Sequence, residues 1–105
     1  MTTSPRRQML ENFVAQHPND AFGRYGLAME CVTAGELPQA EEHFAKLVAA
    51  NPNYVPAYYH YGQLLARLDR SEDAKRILRS GMDVARKEGN FHALSELEQS
   101  LNDLG

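Results

Sequence analysis

Residues 18–31 read PNDAFGRYGLAMEC, and residues 52–65 read PNYVPAYYHYGQLL. Laid one over the other, Pro18-Asn19 falls on Pro52-Asn53 and Tyr25 on Tyr59, at a spacing of 34 residues. The register continues beyond the quoted stretch. Ala40 falls on Ala74, small residues coincide at Ala28 and Gly62, and large apolar ones at Leu27 and Tyr61, Cys31 and Leu65, and Phe44 and Leu78. A fixed period in this range is the signature of stacked units, each too small to bury its apolar face alone. Stacked helical pairs usually offer a surface to a partner and seldom house a reaction. The period therefore speaks to class and leaves the partner unnamed.

Breakers divide the chain into six helical stretches. The first is predicted over about residues 5–16, with Ser4 as cap, Pro5 in the first turn and Pro18 as the stop. The second covers about 20–34 and ends at Gly35, a left-handed cap. The third starts near Pro38 and ends before Pro52, and the fourth covers about 54–68 and breaks at Asp69-Arg70. Ser71 is expected to cap the fifth, which reaches about Glu88; Gly89-Asn90 then ends one helix and caps the next, over about 91–104. Apolar residues recur at helical intervals: Phe44, Leu47 and Val48; Leu64, Leu65 and Leu68; Ile77, Leu78, Met82 and Ala85. No segment alternates as a strand does. Short connections make neighbours antiparallel. The expected fold is all-α, about six helices forming antiparallel helix-turn-helix repeats in a right-handed stack.

At 105 residues the chain is one domain's worth, 1–105. An apolar fraction of 43% with 24% charged residues is ordinary for a soluble globular protein. A net charge of −3 speaks against a protein built to coat nucleic acid. No apolar run approaches the roughly 18 residues that span a bilayer. The N-terminus, Met1 to Arg7, has two arginines with no apolar stretch behind them, so it does not read as a signal peptide. The single Cys31 leaves no intrachain disulfide framework. Together these point to a reducing, cytoplasmic setting.

The repeated positions resemble the tetratricopeptide repeat, a helix-turn-helix unit of the same 34-residue period. The pattern of that family falls on Leu27-Ala28, Cys31, Gly35, Ala40, Phe44 and Pro52 in a first repeat (20–52). In a second repeat (54–88) it falls on Tyr58, Tyr61-Gly62, Leu65, Ala74, Leu78 and Gly81. The resemblance puts Ala28 against Ala40 and Gly62 against Ala74, where only small side chains permit two helices to touch. Two departures stand out. Arg24 occupies a place where the family prefers an aromatic, which predicts looser packing on the N-terminal side of the first repeat. Arg86 stands where a closing proline is expected, so the fifth helix runs on by a turn or more. Two repeats are few, because at least about three are normally needed to bury a continuous core. The flanking helix 5–16 and a capping helix 91–104 supply the remainder.

The resemblance further implies that the first helix of each repeat lines a concave, partner-binding face. The matching positions are Phe22, Tyr25, Met29, Val32 and Thr33, then Pro56, Tyr59, Gln63, Ala66 and Arg67. Of these, Phe22, Tyr25, Met29, Tyr59, Gln63 and Arg67 are the candidate partner-binding residues: exposed aromatics and a methionine suit a peptide-binding face. The competing expectation is that the terminal helices bury part of this face. The paired Lys and Asn with which some family members clamp a C-terminal carboxylate are missing. The expected ligand is a protein or peptide, with no nucleic acid and no membrane. The chain itself is expected to be a monomer or a weak homo-oligomer. The alternative is a structural, self-associating subunit without a peptide ligand.

Other constellations carry less. Tyr58 and Tyr61, within the cluster Tyr54, Tyr58, Tyr59 and Tyr61, sit at core positions, which weakens a base-stacking role. The basic stretch from Arg67 to Lys87 reads as a solvated face, with Glu72–Arg76 and Asp83–Lys87 as i, i+4 pairs; the alternative is a patch for an acidic partner, protein or nucleic acid. His17, His43, His60, His92 and Cys31 have no metal-ligand spacing. There is no glycine-rich phosphate loop or nucleophile elbow, so neither an enzyme nor a cofactor is expected. Leu94, Leu97, Leu101 and Leu104 form a short seam that is better suited to capping the fifth helix than to holding a dimer.

Overall fold

In the computed structural model, which describes residues 4–105, six α-helices follow one another: α1 Pro5–Gln16, α2 Ala21–Thr33, α3 Leu37–Ala50, α4 Val55–Arg67, α5 Ser71–Glu88 and α6 Phe91–Asp103. The expectation for the N-terminus rests partly on residues 1–3, which lie outside the described residues. The chain divides into two compact units, Met1–Asn51 and Pro52–Gly105. The first holds α1–α3 and the second α4–α6.

Local chemistry sets the helix ends. Ser4, Asp20 and Asn90 each accept a hydrogen bond from the backbone N–H three residues on, satisfying a donor that the first turn leaves open. Ser71 behaves otherwise. It is the first residue of α5, Arg70 occupies the cap position, and no side chain bonds there. The acidic first turn of Glu72 and Asp73 is the favourable charge at that end.

One turn recurs three times. Gly35, Asp69 and Gly89 have φ of 77°, 60° and 71°. The amide that follows each of them donates back across the turn: Glu36 to the Cys31 carbonyl, Arg70 to Leu65 and Asn90 to Ala85, each at 2.9 Å. This is the left-handed helix stop, for which glycine has no steric penalty. Asp69 makes it with a side chain, and aspartate is one of the few residues that tolerate the conformation.

Within the first unit, α2 packs on α3 and α1 on α2. Leu27, Ala28, Cys31, Ala40, Phe44 and Leu47 are almost wholly buried. Gly23 and Gly26 let α1 approach: a β-carbon at Gly23 would stand 2.6 Å from the Phe13 ring, and one at Gly26 3.2 Å from Leu10. Arg7 donates to Glu36 at 2.6 Å, tying α1 to the α2–α3 turn, and Arg6 pairs with Glu30. The Arg7 hydrogen bond holds the Glu36 carboxyl below the usual carboxylate range.

Arg24 does not loosen the first repeat. It is 9% exposed, and its Nη2 donates to the Pro18 carbonyl at 3.1 Å. Thirty-four residues on, the Tyr58 hydroxyl makes the same bond to the Pro52 carbonyl at 2.7 Å. A guanidinium thus fills the place of a phenol. Its remaining N–H groups need acceptors, and Arg24 Nη1 lies 3.0 Å from His43 Nδ1. Arginine only donates, so Nδ1 accepts and the ring is neutral. Burial first, and then the Arg24 charge, push His43 below its ordinary value of 6.5.

In the second unit, α5 packs against both α4 and α6, and α6 also touches α4. The side chain pressed onto Gly62 is Leu78, one turn beyond the expected Ala74: a β-carbon at Gly62 would stand 2.5 Å from Leu78 Cδ2. At Gly81 it would stand 2.5 Å from Tyr58 Cβ and 3.3 Å from Leu97 Cδ1. As Arg86 foretold, α5 continues past the expected proline and runs for 18 residues.

Two outcomes follow from this packing. Gly81→Ala should cost about 1–3 kcal/mol, since Tyr58 Cβ is tied to its backbone and cannot step aside. Gly62→Ala should cost a comparable amount, because Leu78, whose Cγ would stand 2.7 Å from the new β-carbon, is fully buried. Gly26→Ala should be near neutral, because Leu10 meets it with a side-chain end and a mid-helix glycine is itself unfavourable by about 0.5–1 kcal/mol. Urea midpoints lower for Gly81→Ala and Gly62→Ala than for Gly26→Ala check the close contacts. The second outcome concerns acid. His43 binds a proton less readily folded than unfolded, so the unfolded chain gains it first as pH falls, and stability drops below about pH 6.5. The double substitution Arg24→Tyr with His43→Ile installs the residues found at 58 and 77. It should reduce the loss of stability between about pH 7.5 and about pH 5.5. Some slope remains, because burial also depresses His60.

Candidate interaction surfaces

On α2, Phe22, Tyr25 and Met29 succeed one another at intervals of a helical turn. Phe22 is 68% exposed, while Tyr25 and Met29 are half-buried. This row is distinct from the Gly23 and Gly26 positions on which α1 rests. Val32 is half-buried and Thr33 exposed.

On α4, the candidate positions face α6. Two hollows lie between these helices, of about 310 and 270 Å³. Gln63, Ala66 and Arg67 line the larger one from the α4 side; Ser100, Asp103 and Leu104 face them from α6 and its end. Its floor is Gly62 and Leu78. Pro56, Tyr59 and His60 line the smaller, opposite His92, Ala93 and Glu96. The Tyr59 and His60 rings meet edge to face, with centroids 5.1 Å apart. Burial outweighs the Glu96 carboxylate and lowers the His60 pKa. Pro56, Gln63 and Arg67 remain exposed, while Tyr59 and Ala66 are half-buried. The terminal helix therefore flanks this face and leaves it partly open.

Sequence reasoning expected the terminal helices to cover part of this face but named no residue of α6 that lines it. His92, Glu96 and Ser100 recur every four residues beside the leucine stripe, so they share a face. That polar row was the available signal. Of the stripe itself, Leu97 is fully buried, and Leu94, Leu101 and Leu104 are half-buried.

The remaining candidates resolve simply. Tyr58 and Tyr61 are core residues. The charges of α5 pair at i, i+3 instead of i, i+4: Lys75 with Glu72, Arg76 with Asp73 and Arg86 with Asp83. Among the described residues, no three His, Cys, Asp or Glu side chains are grouped to hold a metal, and no helix is long and apolar enough to cross a membrane. Cys31 is buried, and burial raises its thiol pKa, which keeps it protonated and unreactive.

The tetratricopeptide repeat family model matches residues 32–97. The chain belongs to the tetratricopeptide repeat family. The crystal structure of a tetratricopeptide repeat domain protein from Salinibacter ruber is 41% identical, with 81% of this chain and 96% of that one covered, at a TM-score of 0.77. The solution structure of a tetratricopeptide repeat domain protein from the same organism is also 41% identical, with 83% and 88% covered and a TM-score of 0.79. A protein from Bordetella parapertussis shares the fold at 22% identity, over 97% of this chain and 89% of that one, with a TM-score of 0.82. No curated protein matches. Tetratricopeptide repeats are in general protein-interaction modules and typically non-catalytic scaffolds.

Leu97 carries the attachment of α6. Leu97→Ala should destabilise the chain by about 2–5 kcal/mol, the usual cost of emptying a buried leucine site. Leu94→Ala, at a half-buried position, should cost less. Thermal melts of the two variants test which leucine holds the wall of the hollows.

Proposed function

We propose that this chain is an adaptor that holds a segment of a partner protein against the first helices of its repeats. Phe22, Tyr25 and Met29 act on α2, and Tyr59, Gln63 and Arg67 on α4. The observation that carries this proposal is the pair of hollows beside α4, whose walls include every α4 position expected to face a partner. Hollows of this size take individual side chains of a peptide, and half-buried aromatics beside them make effective anchors.

Self-association is the second reading. It is favoured by Met9 and Phe13, which lie one turn apart on α1 and are 64% and 39% exposed. Light-scattering mass against concentration separates the two: a monomer at high concentration supports the adaptor.

Tyr59→Ala and Phe22→Ala should each weaken capture of a partner while lowering the melting temperature little. An interface hot spot contributes about 2 kcal/mol or more to binding. Affinity for a protein recovered by pull-down, measured beside the melt, tests this. Binding and stability lost in step would make these aromatics packing residues.

A further inference from the structure

We infer that the larger hollow beside α4 receives a large apolar side chain of a partner polypeptide, and that Arg67 binds the carboxylate of an adjacent aspartate or glutamate. The inference rests on the adaptor reading and gives it a ligand chemistry.

The floor of the hollow is apolar. Leu78 is 1% exposed and belongs to the core, Gly62 contributes no side chain, and Ala66 and Leu104 complete the walls. Such a surface favours an aliphatic or aromatic group, which gains contact with side chains already held in place. Charge then narrows the choice. Arg6, Arg7, Arg24, Arg70, Arg76 and Arg86 all have a carboxylate, carbonyl or imidazole partner. Among the described residues, Arg67 has none, although it stands at the rim of the hollow. A guanidinium presents paired donors that match a carboxylate edge to edge, and the exposed Arg67 is open to receive one. Arg79 is also unpaired, but it lines neither hollow.

The opposite rim limits the ligand further. Asp103 already accepts from Gln99 at 3.0 Å and presents negative charge. It disfavours a run of acidic residues and leaves room for one carboxylate, on the Arg67 side. Gln63 and Ser100, also on the rim, offer an amide and a hydroxyl to the peptide backbone.

Random linear peptides displayed on phage and selected on the intact chain test this inference. Enriched sequences should place Phe, Leu, Ile or Met directly beside Asp or Glu. A synthetic peptide of that consensus should bind Arg67→Glu at least about tenfold more weakly than the wild type, and wild-type binding should weaken with added salt. Changing the peptide's acid to Arg should restore binding to Arg67→Glu. Ala66→Phe, which fills the hollow, should lose the peptide while melting like the wild type. Enrichment without an acidic position, or a peptide indifferent to Arg67→Glu, overturns the inference and leaves the adaptor reading standing. No enrichment at all overturns both.

Discussion

At Gly62 and Gly81 the helices of the second unit are approached by neighbouring side chains to distances that no β-carbon accepts. Most of the unit's geometry follows from Gly81. Where its side chain would stand, Tyr58 from α4 and Leu97 from α6 come together. Tyr58, so placed, reaches the Pro52 carbonyl and closes the entry to α4. Leu97, so placed, fixes α6 along α4, and the space left between those two helices forms the hollows. The interaction surface is thus a by-product of a missing side chain on a third helix.

The first unit solves the corresponding packing problem with different chemistry. At position 24 a cation replaces an aromatic, and the hydrogen bond to the preceding proline carbonyl survives the exchange. A buried guanidinium is stable only when its other donors are satisfied, and His43 accepts one of them where the second unit has Ile77. The two positions form a matched pair. Introducing the arginine alone at position 58 would bury guanidinium donors that Ile77 cannot accept from.

Much of the fold was legible in the sequence because the repeat period, the prolines and the glycines each act locally. α1 falls on its expected bounds, and the remaining helices differ by a residue or so at their ends. Ser71 misled because serine is so strongly preferred at the cap, whereas here Arg70 holds that position one residue earlier. The role of Arg24 was hidden because its partners, Pro18 and His43, lie 6 and 19 residues away. The candidate face of α4 was legible as a row of residues, but the wall opposite was not. That wall depends on how a helix outside the repeat pattern leans, and only tertiary packing decides it.

The three identical turns bear on how the chain meets proteases. Cleavage needs a stretch of backbone that can extend into an active site with its amides free. At Glu36, Arg70 and Asn90 the amides are already bonded across the turn to the helix that has just ended. The connectors within each helical pair therefore open only when a helix end opens with them. They have little of the slack that usually makes loops the weak points of a fold.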